Sequence, residues 1–221
     1  MKKKIKISVI IPAYNQEKFI GRCLRSLYNQ TLDKSLFEVI VINDASNDKT
    51  SYAISLFHKF VKKINNEQNL GLPASVNLGI KKSIGKYIVR VDADDYVNEN
   101  FLKFLMIFLE ENKKKYDAIA CDYWIFADKE KWIKRIDSSK KPIACGILFN
   151  KKHIMKIGMY DETFLCMEDK ELRIRYEKKY RIGYLELPLY RYRQHHKSLT
   201  KNLKKMHIFN KKLKAKIISS K

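Results

Sequence analysis

The stretch Tyr87-Ile88-Val89-Arg90-Val91-Asp92-Ala93-Asp94-Asp95-Tyr96 decides how this chain is read. Its first residues form the short apolar run of a buried strand, and Asn98 to Glu110 beyond it has helical spacing. Three carboxylates therefore stand at the C-terminal end of a strand, the edge where open α/β sheets bind ligands. Carboxylates this close repel one another unless a cation or a donor-rich ligand is shared among them, so the cluster asks for a metal. A solvated acidic turn capping the next helix is the plainer reading of the same residues.

Upstream, Ile5 to Ile11 is β-branched and nearly continuous, as in a strand covered on both faces, and Pro12-Ala13-Tyr14-Asn15 ends it. From Glu17 to Gln30 the residues Phe19, Ile20, Cys23, Leu24, Leu27 and Tyr28 recur at helical spacing. A second strand, Phe37 to Ile42, stops at Asn43-Asp44-Ala45-Ser46-Asn47-Asp48, and Thr50 to Val61 is predicted as a helix. A short linking strand begins at Ile64, and the turn Asn69-Leu70-Gly71-Leu72-Pro73 feeds a helix from Ala74 to Ile84. Strands and helices alternating every thirty residues or so (about 30) predict a Rossmann-like, mostly parallel central sheet flanked by helices.

Downstream, Tyr116 to Phe126, Lys131 to Ile136, Pro142 to Phe149 and Arg181 to Leu185 read as strands. Lys151 to Ile157 reads as a short helix, and Met167-Glu168-Asp169 opens another that runs to Lys179. No linker separates the halves, so residues 1–200 are expected to form one domain: 1–97 a nucleotide-binding half, 98–200 a substrate-facing half. Residues 201–221 carry eight lysines and no acid, with Leu203, Met206, Phe209, Leu213 and Ile217 at spacings of three or four. That describes a basic amphipathic C-terminal helix, suited either to an anionic membrane surface or to docking with its lysines in solvent.

Lys and Arg number 46 against 24 Asp and Glu, a net charge of +22 that calls for an anionic partner: nucleic acid, an anionic membrane or a phosphorylated substrate. Cys23, Cys121, Cys145 and Cys166 are scattered without a Cys-x-x-Cys pair, which argues against a zinc site or a disulfide framework. There is no Gly-x-Gly-x-x-Gly, and Gly79 to Lys86 has one residue too many for a P-loop, so dinucleotide oxidoreductases and P-loop NTPases lose support. No apolar run is long enough to span a bilayer and the first strand-like segment is too short for a signal peptide. A cytoplasmic location is expected, with the tail as a peripheral contact to the inner face of a membrane.

The succession Ser8-Val9-Ile10-Ile11-Pro12-Ala13-Tyr14-Asn15, Val41-Ile42-Asn43-Asp44-Ala45-Ser46-Asn47-Asp48, Asn69-Leu70-Gly71 and Val91-Asp92-Ala93-Asp94-Asp95 resembles the family 2 glycosyltransferases of GT-A fold. Glu168-Asp169-x-Glu171-Leu172 and Arg193-Gln194-His195-x-x-Ser198 resemble that family's downstream motifs. Each motif is weak alone, but their order on the expected elements is specific. Asn43 stands where the family usually has Asp, and Ala45 where it has Gly, which predicts a turn without positive φ at Ala45.

The resemblance implies transfer of a sugar from a nucleotide-diphosphate donor, a UDP-sugar, to an acceptor hydroxyl in surface polysaccharide or glycolipid synthesis. A leaving diphosphate gathers negative charge that a carboxylate-held Mn or Mg ion neutralises. Asp94 is the expected direct ligand, Asp92 lies by resemblance near the ribose and the metal, Asp95 supports them, and His195 joins as a metal ligand with Arg193 aiding the diphosphate. Pro12, Ala13, Tyr14, Asn15 and Glu17 at the first strand's end, with Asn69, Gly71 and Ala93, complete the donor-binding set. Asp44 is placed to accept a uracil imide N–H, although an Asx turn or helix cap would use the same residue. The attacking hydroxyl needs a base, and Asp169 is the candidate with Glu168 beside it; two acids opening a helix also serve as dipole partners. One attack with one base predicts inversion at the anomeric carbon. A nucleotidyltransferase, which also uses paired aspartates, is the enzymatic alternative. A basic nucleic-acid-binding module would leave the carboxylate clusters unexplained, so no nucleic acid partner is expected.

Overall fold

The computed structural model describes residues 4–127, 132–194 and 203–219. One sheet runs through the chain in the order β3-β2-β1-β4-β8-β6-β9-β5, with β7 paired to β6. Its strands are β1 (Ile7–Ala13), β2 (Phe37–Asn43), β3 (Val61–Asn65), β4 (Tyr87–Arg90), β5 (Tyr96–Val97), β6 (Ala118–Ala127), β7 (Trp132–Ile136), β8 (Ile147–Asn150) and β9 (Ile182–Gln194). The pairings set β1 to β4, β6 and β9 in one direction and β5, β7 and β8 in the other, so the sheet is mostly parallel as expected.

Why these residues make this sheet follows from two-residue alternation. Ile7, Val9, Ile11, Val39 and Val41 project to one face, where Ile20, Leu24 and Leu27 of α1 (Ile20–Tyr28) and Phe101 and Leu105 of α4 (Phe101–Glu111) cover them. Ile10, Ile40, Ile42 and Ile88 project to the other, against Val76 and Ile80 of α3 (Leu72–Lys82), Ile154 of α5 (Lys151–Lys156) and Leu172 and Tyr176 of α6 (Glu168–Glu177). Each fully buried Ile or Leu contributes about 1.5–3 kcal/mol, so the two apolar faces fix the register of the strands. Gly79 lets α3 approach the sheet, since a Cβ there would lie 2.5 Å from Ile10 Cγ2.

Four expectations change. The helix predicted over Thr50 to Val61 ends early: α2 is Thr50–Ser55, and Val61 is instead paired to Val39 as the start of β3. A β-branched residue beside an open sheet edge gains more from the ladder than from a last helical turn. The strand expected over Pro142 to Phe149 is confined to Ile147–Asn150. β9 runs well past Leu185 to Gln194, because Cys121 pairs with Leu185 but Asp122 with Pro188, leaving Glu186 and Leu187 as a bulge that absorbs the proline. The two-residue strand β5 was not foreseen.

The tail forms α7 (Leu203–Ser219), in which Leu213 is buried with Phe164, Cys166 and Met167, and Phe209 packs against them. Lys212 Nζ donates to the Thr163 carbonyl at 2.8 Å, and Lys216 Nζ reaches Asp161 Oδ2 at 2.6 Å and Glu171 Oε1 at 2.7 Å. Phe209 and Leu213 thus dock the helix on the domain, while Ile208 is exposed. No helix among the described residues is long and apolar enough to cross a membrane.

Candidate active site

β2, β1 and β4 lie side by side and parallel, so the segments that follow them emerge along one edge. There the β1–α1 and β2–α2 loops are joined reciprocally. Asn15 N–H donates to Ser46 Oγ at 3.0 Å, and Asn47 N–H to Asn15 Oδ1 at 3.0 Å. Glu17 N–H donates to Asp48 Oδ2 at 3.1 Å, and Lys49 N–H to Glu17 Oε2 at 2.9 Å. Asn15 and Glu17 therefore hold this edge in shape, while Tyr14, 46% exposed, presents its ring outward. Ala45 adopts φ 56°, against the expectation drawn from its lack of a glycine; the turn demands the left-handed conformation and the alanine bears the strain.

Asp44 is buried at the end of β2. Its Oδ1 accepts from Asn66 Nδ2 at 2.7 Å and Leu70 N–H at 2.9 Å, and its Oδ2 from Gly71 N–H at 2.9 Å. A carboxylate offers about four lone-pair directions, so Oδ2 retains one for a further donor. Gly71, at φ 86°, turns the chain into α3 and brings its N–H onto Asp44. Asn69 stays exposed beside it. Pro12 and Ala13 end β1 in register with Ile42 and Asn43, and the Ala13 carbonyl accepts Asp44 N–H at 2.8 Å.

After β4 the acids separate by environment. Asp92 and Asp94 are half-buried, whereas Ala93 and Asp95 are buried. Asp95 accepts from Tyr190 Oη at 2.7 Å and from Arg193 N–H at 2.7 Å, which ties β9 to this turn. Burial, with Asp94 and Asp92 nearby, pushes the Asp95 carboxyl well above the usual range. Arg193, expected at the diphosphate, has its guanidinium between the Phe19 and Phe126 rings at 4.5 Å from each and donates from Nε to the Asp94 carbonyl at 2.9 Å. It props the turn from below. His195 lies outside the described residues.

Asp92, Asp95 and Cys145 each bring one ligand-type atom within 4.8 Å of the others. Cys145 is a poor member of a hard-cation set, since burial keeps its thiol protonated by raising it well above its ordinary value, and Asp95 is occupied by β9. Asp94 and Asp92 are the half-buried hard oxygen donors of the turn, the type that fits Mg or Mn, although each Asp92 oxygen also accepts from Arg90.

Across from them, Met167 at φ 63° turns the chain so that α6 opens with Glu168 and Asp169. Glu168 points inward, where Arg90 Nη1 donates to its Oε1 at 2.9 Å. Asp169 is half-buried and lines a cavity of about 230 Å³ with Lys141, Tyr160, Lys170 and Arg173 at its polar positions and Ile147, Phe149 and Leu172 at its apolar ones. Two residues escaped the sequence reading. Arg90 was counted as a strand residue, although a cation inside an apolar run signals a buried partner; Tyr190 carried no signal, because its phenol meets Asp95 across 95 residues of sequence.

The sheet order, the strand-end acids and the acid pair opening α6 define a GT-A glycosyltransferase. Staphylococcus aureus TarS 1-349 in complex with UDP-GlcNAc shares the fold at TM-score 0.78 and 23% identity over 90% of this chain and 61% of that one. The mannosyltransferase PcManGT from Pyrobaculum calidifontis, with GDP-Man and Mn2+, does so at TM-score 0.72 and 17% identity over 89% and 59%. The family described as Glycosyl transferase family 2 matches residues 8–178, and the chain belongs to it. Poly(ribitol-phosphate) beta-N-acetylglucosaminyltransferase TarS of Staphylococcus aureus is 38% identical over 114 residues, covering 49% of this chain and 19% of TarS. The minor teichoic acid biosynthesis protein GgaB of Bacillus subtilis is 30% identical over 209 residues, covering 84% of this chain and 23% of GgaB. The chain thus spans about a fifth to a third of the length of the first curated relatives it matches.

Proposed function

We propose that this chain transfers a sugar from a UDP-sugar to a hydroxyl of a cell-surface polymer or lipid-linked glycan, with inversion at the anomeric carbon. The observation that carries the reading is Asp169, half-buried on the wall of the cavity, beside a Glu168 that is tied to the donor-side acids. The names of TarS and GgaB, and the UDP-GlcNAc complex of TarS, support this donor and a polymer of the cell surface.

In this reading residues 1–97 hold the donor and 98–200 face the acceptor. Tyr14 supplies a ring face for the base, and Asp44 Oδ2 offers its remaining lone pair to the imide N–H, while Gly71 fixes that oxygen in place. Asp94 and Asp92 would hold a Mn or Mg ion, which when bound neutralises the charge that gathers on the diphosphate. The acceptor hydroxyl enters beside Asp169, whose carboxylate takes its proton as the oxygen attacks; a single displacement inverts the anomeric carbon. Glu168 is buried against Arg90, which suits it to anchor the first turn of the helix that bears Asp169. Family membership sets aside the nucleotidyltransferase and nucleic-acid alternatives. Lys211 and Lys214 on the outer side of α7 are exposed, and we place any contact with an anionic membrane at the cytoplasmic face there.

A panel of UDP-sugars with and without Mn2+, scored by UDP release onto polyol-phosphate and glycan acceptors, tests this. Asp169→Asn should lower transfer by about 10³-fold, within the range for a lost general base, and leave UDP affinity within about threefold. Native transfer rates from the folded variant would remove Asp169 from the mechanism.

A further inference from the structure

β4 contains one residue foreign to a buried strand. Arg90 has a side chain only 6% exposed, and its guanidinium faces two carboxylates at once. Nε donates to Asp92 Oδ1 at 2.6 Å and Nη2 to Asp92 Oδ2 at 3.1 Å, a bidentate fork. The remaining nitrogen, Nη1, donates to Glu168 Oε1 at 2.9 Å, 78 residues further along the chain. The Glu168 side chain is 8% exposed and that of Asp92 23%.

Such a triad is costly. Taking a guanidinium and two carboxylates from water is offset only by good geometry, and an apolar residue of similar volume would often be as stable or more so. One cation among two anions also leaves the group a net negative charge. What the arrangement gains is geometric: a planar fork on a rigid strand fixes two carboxylates at a set separation, which a lysine, with one compact charge, does not. Asp92 belongs to the donor side, and Glu168 precedes Asp169 in the first turn of α6.

We propose that Arg90 is a positioning residue for sugar transfer, a strut that holds the donor-side Asp92 and the helix bearing Asp169 at one spacing. This rests on the transferase reading above. Arg90 touches neither the sugar nor the acceptor; it acts through Asp92 and Glu168. By occupying one direction on each Asp92 oxygen and adding positive charge there, it also opposes cation binding in the absence of donor. A residue that merely filled space would have neither effect.

Three variants of the full chain test the strut: Arg90→Met, Arg90→Lys, and Arg90→Met combined with Glu168→Gln, which removes the unpaired buried acid. Folding is followed by circular dichroism, turnover by UDP release, and Mn2+ affinity without nucleotide by the free-ion paramagnetic resonance signal. The double variant should fold and lose about 100-fold in kcat, the scale expected for a misplaced reacting group, with donor KM within about threefold. Its Mn2+ affinity should hold or rise. Arg90→Lys should keep the charge and recover less than about a tenth of native kcat. A folded variant with kcat within about threefold of native overturns the proposal. So does a joint fall of kcat, Mn2+ affinity and melting temperature, or failure of all three variants to fold, because each assigns Arg90 to stability alone. A native chain without turnover on any donor would sink the transferase reading and the strut together; variants that match an active native chain sink the strut only.

Discussion

Glu168 and Glu171 stand three residues apart on α6, 6% and 2% exposed, yet their carboxyls are displaced in opposite directions. Burial pushes Glu168 up; Arg90 opposes the rise but is shared with Asp92, and Asp169 adds to it. Burial also works against Glu171, but there Arg175, at 2.6 Å, and Lys216, at 2.7 Å, hold the carboxyl below its ordinary value. Glu168 shares its one paired cation with Asp92, whereas Glu171 is paired with two, one of them from α7. Compensation, more than burial, separates the two carboxyls.

The sharpest way to break this comparison is to neutralise each acid in turn. Glu171→Gln should cost about 2 kcal/mol, less than the full cost of orphaning a buried partner because Arg175 and Lys216 are partly exposed. Glu168→Gln should cost less than about 1 kcal/mol, since it removes a charge that burial already disfavours. Chemical denaturation reads both, and equal losses would end the distinction. Acid should sharpen it. Asp161 is brought down to about 2 by Lys216 and Thr163 against the effect of burial, and Glu171 is lowered too. Their contribution is complete above the unfolded carboxylate values, near 4, and is lost as pH falls through the lowered ones. Glu168 and Asp95 are raised, so their unfavourable contribution is relieved earlier in the fall, between their raised values and the unfolded ones near 4. Hydrogen exchange between pH 5 and pH 2.5, corrected for intrinsic rates, should show residues 207–216 losing protection before β4 does. The smallest effect concerns conformational strain on the donor side. Ala45→Gly should raise stability by about 0.5–1 kcal/mol, because glycine carries no penalty at φ 56°.

Much of this was legible because it is local. The runs Ile7 to Ile11 and Phe37 to Ile42 announce buried strands, and the acids at 92–95 and 168–169 fall where strand ends and helix starts place them. What stayed hidden depends on distant partners or on compensated exceptions. The extension of β9 needed a bulge opposite Cys121 and Asp122 to pass Pro188. The docking of α7 depends on Lys216 meeting Asp161, 55 residues away. The packing of Arg193 was not readable locally, because its aromatic neighbours, Phe19 and Phe126, come from remote segments. The positive φ of Ala45 was concealed by a residue type that seldom adopts it.

The stitched loops beyond β1 and β2 bear on association rather than on chemistry. Two flexible segments that ordered only around a nucleotide would each lose side-chain freedom at the moment of encounter, about 0.5–1.5 kcal/mol for every immobilised side chain. Here Asn15 and Glu17, locked to the backbone at Ser46 to Lys49, have lost that freedom already, during folding. If the proposed donor binds here, it meets an edge already shaped, and its capture should proceed with little rearrangement of this rim.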